Sequence, residues 1–160
     1  MTRQFRHSAG FGKRIEYWII GLLLKEGYDV FVPLVDDHGI DAIIRGSHGK
    51  IIDLQIKARS NEVKEGNSAL FAAMEHPEVR ENYYCLFYSE RMDTMWLMSS
   101  RDYIEHAVQN KSGKNIGKRS ICLNGLRNGK EYPKEAFSPW CITKNGKHDF
   151  AVIAELLNKL

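Results

Sequence analysis

The chain has 160 residues, 43% of them apolar and 27% charged, with a formal net charge of +3. That supports one domain with a sizeable core and excludes a disordered or fibrous protein. The longest apolar run, residues 17–24, is too short for a bilayer, and residues 1–14 are basic and polar rather than a secretory signal, so a cytoplasmic protein with no membrane partner is expected.

A first helix is expected from about Gly10 to Lys25, where Ile15, Trp18, Ile19, Leu22 and Leu23 recur at three- and four-residue steps. Gly27 ends it. Glu16 is a carboxylate inside this apolar helix and asks for a chemical reason. Three strands follow, over about 28–34, 40–45 and 50–58, the last two joined as a hairpin by the turn Gly46-Ser47-His48-Gly49. In the third strand the two-residue period turns Ile52, Leu54, Ile56 and Ala58 to one face and Asp53, Gln55, Lys57 and Arg59 to the other. One face is core; the other is a line of polar groups of both charges.

Beyond a polar loop, residues 68–76 suit a short helix or a strand equally well. Two more strands are expected over about 83–89 and 94–99. A helix over about 100–109 follows, starting at a serine cap with Asp102 in its first turn. A loop rich in glycine and lysine runs to Arg119, then a short strand near 121–123, a turn-rich stretch and a closing amphipathic helix from about Phe150. Nothing divides the chain, so residues 1–160 read as one unit, with a core over about 10–110 and an elaboration over 111–160. Cys85, Cys122 and Cys141 form neither a disulfide framework nor a zinc motif.

Two basic groups stand out, Arg3, Arg6, Lys13 and Arg14 at the start and Lys111, Lys114, Lys118 and Arg119 in one loop. Both suit a phosphate backbone, and either one alone is equally consistent with a solvated surface.

The α-β-β-β start, with Gly39-Ile40-Asp41 opening one strand, Asp53-Leu54-Gln55-Ile56-Lys57 in its hairpin partner and Glu16 in the first helix, resembles the PD-(D/E)XK nuclease superfamily. The Gln-x-Lys variant is similar to Mrr-type restriction endonucleases, and the layout to archaeal Holliday-junction resolvases. The resemblance covers about residues 10–100. It implies a restriction-endonuclease-like α/β fold, a mixed central sheet flanked by helices in αβββαβ order. It also implies an Mg²⁺- or Mn²⁺-dependent endonuclease acting on DNA in restriction, recombination or repair, as a homodimer or with a partner subunit that supplies specificity. Asp41 would anchor the metal, with the side-chain oxygen of Gln55 and the carbonyl of Ile56. Lys57 would orient or deprotonate the attacking water, and Glu16 would hold a metal-bound water or a second ion.

Those residue types suit phosphodiester hydrolysis, because hard oxygen ligands hold a divalent ion that stabilises charge on an anionic phosphate. Gln55 departs from the commoner acid, which leaves one charge fewer and keeps a second reading open, a non-catalytic nucleic-acid-binding or assembly subunit of the same fold. Asp36, Asp37 and Asp53 stand close enough in sequence to join the metal site.

Overall fold

The computed structural model describes residues 8–160; Arg3 and Arg6 lie outside them. Helix α1 (Ser8–Lys25) is closed by a left-handed glycine. Gly27, at φ +89°, lets its own amide reach the Leu24 carbonyl at 3.0 Å and the Tyr28 amide reach the Leu23 carbonyl at 3.1 Å. These bonds satisfy carbonyls that the helix end would leave without donors.

Strands β1 (Asp29–Phe31), β2 (Ala42–Arg45) and β3 (Ile51–Arg59) form an antiparallel meander. The first is shorter than expected and stops before Pro33, which cannot extend the ladder. Strand β4 (Leu70–Met74) leaves this sheet, and β5 (Tyr83–Ser89) returns to pair in parallel with β3, followed by antiparallel β6 (Thr94–Ser99). The central sheet has the order β1-β2-β3-β5-β6. It is a mixed sheet flanked by helices.

Parallel neighbours need a long crossover, usually a helix. Here residues 60–82 carry strand β4 instead, so the ambiguous 68–76 segment is a strand and the second helix of the αβββαβ order does not occupy the crossover. Strand β4 pairs with β8 (Arg119–Cys122), which also pairs with β7 (Val108–Gln109), in a second sheet of order β4-β8-β7. Two hairpins complete the strands, β9 (Asn124–Arg127) with β10 (Lys130–Pro133) and β11 (Thr143–Lys144) with β12 (Lys147–His148). Helix α2 (Ser100–His106) follows β6, and helix α3 (Ala151–Lys159) ends the described chain.

The central sheet separates two cores. On one face Ile19 and Leu23 of α1 and Ile153 and Leu157 of α3 pack on Ile44, Ile52, Leu54 and Ile56. On the other, Phe71, Ile121, Leu123 and Tyr103 from β4, β8, the residue after it and α2 pack on Tyr83, Phe87, Trp96 and Met98. Residues 111–160 therefore contribute to both cores. Among the described residues no helix is long and apolar enough to cross a membrane.

Helix α2 is capped by Ser99, whose hydroxyl accepts from the Asp102 amide at 3.1 Å, rather than by Ser100. Ser100 is buried and joins His76 at 2.7 Å, and its oxygen also accepts from the Arg80 amide at 2.8 Å. Burial holds His76 below the usual histidine range, helped by the Arg80 and Arg119 charges. A histidine depressed in the folded state binds fewer protons there than in the unfolded chain. Stability is then present above the unfolded value, near 6.5, and falls as pH drops below it. Urea denaturation at pH 7.5 and pH 5.5 is expected to show a loss of stability on acidification that is smaller in His76→Gln.

Candidate active site

Strand β2 ends its ladder at Ala42, opposite Leu54. One residue before it, the Asp41 amide donates to the Leu54 carbonyl at 2.8 Å. Beyond that point β3 has no neighbour on this side, and the Asp41 carboxylate takes the place of one. Its Oδ2 accepts from the Ile56 amide at 2.7 Å. Within a strand, a residue's N–H and C=O point to the same side, so the Ile56 carbonyl also faces the gap past the end of β2.

Asp41 is buried, only 9% exposed. Burial pushes its carboxyl above the usual carboxylate range; the Ile56 amide pulls it back, the Glu16 charge raises it again, and the Lys57 charge lowers it. Glu16 of α1 is therefore within electrostatic reach of Asp41, and it also pairs with Lys13 one turn earlier on its own helix. A buried carboxylate facing a second carboxylate is an arrangement that favours a cation.

Gln55 lies on the opposite face of β3 from Ile56, also 9% exposed. Its Oε1 is buried and has no hydrogen-bond partner, while its amide nitrogen packs against Gly39. A Cβ at Gly39 would sit 2.7 Å from that nitrogen, and φ is +66° there, so only glycine fits. The loop that carries Gly39 is pinned from several sides. Asp36 Oδ1 accepts from the Ile40 amide at 2.8 Å, Tyr83 Oη donates to the Gly39 carbonyl at 2.6 Å, and Arg80 Nη1 donates to the His38 carbonyl at 2.7 Å. Arg80 also lies 3.8 Å from the centre of the Tyr83 ring. These contacts set where Asp41 stands, just before β2.

Gln55 and Lys57 line an open cleft of about 680 Å³ together with Asp36–Gly39, Arg80 and the β4 segment Ala72–Glu75. Strand β4 is irregular there. Its register against β8 shifts between Phe71 and Met74, and Ala73 adopts φ +55° with its amide donating to Ser120 Oγ at 3.0 Å. A left-handed alanine costs about 1–2 kcal/mol, and such strain collects at functional walls.

The structure brings Asp41, Gln55, Ile56 and Lys57 together on adjoining strands, with Glu16 behind Asp41. Asp41 and Glu16 do not line the cleft itself; the Ile56 amide links Asp41 to its floor. Asp53 lies on the same β3 face, held above the usual carboxylate range by burial, with Arg80 rather than Lys57 or Arg59 as its charged neighbour. Arg59 instead donates to the Asn67 carbonyl. Lys111 and Lys114 are exposed in the loop between β7 and β8, with Lys118 at its end. Arg119 opens β8, and its Nε donates to the His76 carbonyl at 3.2 Å. Arg14 is exposed on α1. Burial pushes the Cys85 thiol up to about 12, which removes it as a nucleophile.

Among the described residues no three His, Cys, Asp or Glu side chains converge as a metal cluster. A cation here would depend on amide and backbone oxygens beside the acid. The donor set fits one: Asp41, the partnerless Oε1 of Gln55 and the Ile56 carbonyl are all hard oxygens, the type that Mg²⁺ and Mn²⁺ prefer. Sequence reasoning missed Arg80, Tyr83 and the β4 wall; Gly39 was visible only as part of the Gly39-Ile40-Asp41 motif, without its packing role.

No family model matches the sequence, and no curated protein is similar to it. Among solved structures, a bacterial homing endonuclease, I-Ssp6803I, superposes with a TM-score of 0.56 at 15% identity, over 96% of this chain and 93% of that one. The fold is one that a homing endonuclease uses. At that identity the likeness speaks for the fold, and the chemistry rests on the residues above.

The Asp41 carboxylate fills a backbone acceptor role while buried beside a like charge. Asp41→Asn keeps an oxygen for the Ile56 amide and removes the charge; Asp41→Ala strands the amide. Thermal denaturation in a chelator is expected to show Asp41→Asn at least as stable as wild type. Asp41→Ala should be destabilised by about 1–3 kcal/mol.

Proposed function

We propose that the protein is an endonuclease that hydrolyses phosphodiester bonds in DNA with a divalent cation, Mg²⁺ or Mn²⁺. The observation that carries this reading is the buried, partnerless Gln55 oxygen on the floor of an open cleft, one residue from the Ile56 amide that Asp41 holds. The fold shared with a homing endonuclease supports it.

When bound, the cation polarises the phosphate and stabilises the charge that develops on it. Asp41, Gln55 and the Ile56 carbonyl would hold it, and Glu16 would hold a metal-bound water or a second ion. Lys57 stands in the cleft within electrostatic reach of Asp41. It would orient the attacking water or help to deprotonate it. The pinned loop keeps Asp41 and Gln55 in place without reorganisation as the substrate enters. Lys13 and Arg14 on α1, and Lys111, Lys114 and Lys118 beyond β7, are assigned to the phosphate backbone. Cutting both strands needs two sites, so a second copy or a partner subunit belongs to this reading.

Nicking of supercoiled plasmid in Mg²⁺ and in Mn²⁺ tests the proposal directly. Wild type is expected to nick and to stop in a chelator, and Lys57→Ala to fall by about 100-fold or more while still binding DNA. Retained DNA binding without nicking by wild type in either ion would favour the non-catalytic subunit that neutral Gln55 allows.

A further inference from the structure

Strands β9 and β10 form a two-stranded ribbon with two unlike faces. The turn between them has Asn128 at φ +51° and Gly129 at φ +69°, the tight type I′ turn that matches strand twist. Cross-strand pairing sets Asn124 and Pro133, and Leu126 and Glu131, on one face; Gly125 and Tyr132, and Arg127 and Lys130, share the other.

The first face is fastened to the body. Asn124 is buried, accepting from the Ala69 amide at 3.0 Å and donating to the Gly66 carbonyl at 3.0 Å. Glu131 accepts from the Gly66 and Ser68 amides and pairs with Arg91 at 2.8 Å. The second face carries no acid, and Arg127, Lys130 and Tyr132 on it are all exposed. The Tyr132 ring packs against Gly125, where a Cβ would come within 2.4 Å of it. Glu65 flanks the turn at Gly129.

Strand β8 places this ribbon relative to the cleft. One end of β8 leads to the lysine loop of residues 110–118; the other leads through Leu123 to β9. Its partner β4 borders the cleft between them. A two-stranded ribbon fits a major groove about 12 Å wide.

We propose that the β9–β10 ribbon enters the major groove of duplex DNA and reads base edges there through Arg127 and Lys130. This rests on the nuclease reading and adds a duplex substrate with a preferred sequence. The positive outer face complements the groove, and the fastened inner face fixes the reading side chains relative to the cleft.

The test is to let wild type select duplexes from a randomised library. Fluorescence anisotropy then measures affinity for the selected duplex and for a scrambled one. Arg127→Ala/Lys130→Ala is expected to reduce the ratio of the two affinities at least tenfold, and to leave the melting temperature near wild type. Arg127→Lys, which keeps charge but loses the planar fork, is expected to bind both duplexes and discriminate less. An unchanged ratio overturns the proposal. So does an equal loss for both duplexes, which marks phosphate contacts alone, or the absence of any selected sequence. Failure of the nuclease reading shows separately, as absence of nicking by wild type.

Discussion

The site depends on one short strand. Because β2 stops at Ala42 while β3 runs on to Arg59, the edge of β3 is left bare over Ile56. An uncovered strand edge inside a protein carries backbone groups that need partners. Asp41 supplies a partner with its side chain, and that single hydrogen bond places an ionisable group in the sheet where a backbone carbonyl would otherwise stand. From it follow the burial of the carboxylate, its raised affinity for a proton, and the position of Gln55 and Lys57 one residue to either side of Ile56.

The electrostatics of this arrangement work against the fold. Asp41 is buried near Glu16 and Asp36, Gln55 keeps an oxygen without a donor, and Ala73 holds a left-handed backbone on the cleft wall. Each departs from what a stable core prefers; Gln55 and Ala73 line one cleft, and Asp41 is tied to it through the Ile56 amide. The surrounding structure offsets them with ordinary means: apolar packing on both faces of the sheet, and a loop held by Asp36, Arg80 and Tyr83.

What the sequence made legible was local. The alternation along Ile51–Arg59 separates core from polar face because side chains in a strand have a period of two, and the structure keeps both faces as read. Helix α1 was legible through its spacing and its terminal glycine. Segment 68–76 was not, since Leu70, Phe71 and Met74 fit either period and the pairing that decides lies about fifty residues later, at Arg119 and Cys122. The same distance hid Arg80 and Tyr83, whose roles exist only once the chain has brought residues 38–39 beside them. The helix cap shifted by one residue because Ser99 and Ser100 are interchangeable in sequence, and burial against His76 chose between them.

Tyr28 and Gly46 carry a further consequence. The Tyr28 hydroxyl donates to the Phe150 carbonyl at 2.6 Å and accepts from the Ala154 amide, and Gly46 leaves room for Leu157, whose side-chain atoms would lie 3.1 Å from a Cβ there. The first core is thus closed by α3, which begins at Ala151, far along the chain from Arg59 where the hairpin it covers ends. During synthesis α1 can cover part of the apolar face of the β2–β3 hairpin, and the rest stays bare until α3 emerges. Closure at such a separation is slow, and the waiting surface is a target for chaperones. A cell making this chain would leave that core unclosed until α3 has left the ribosome.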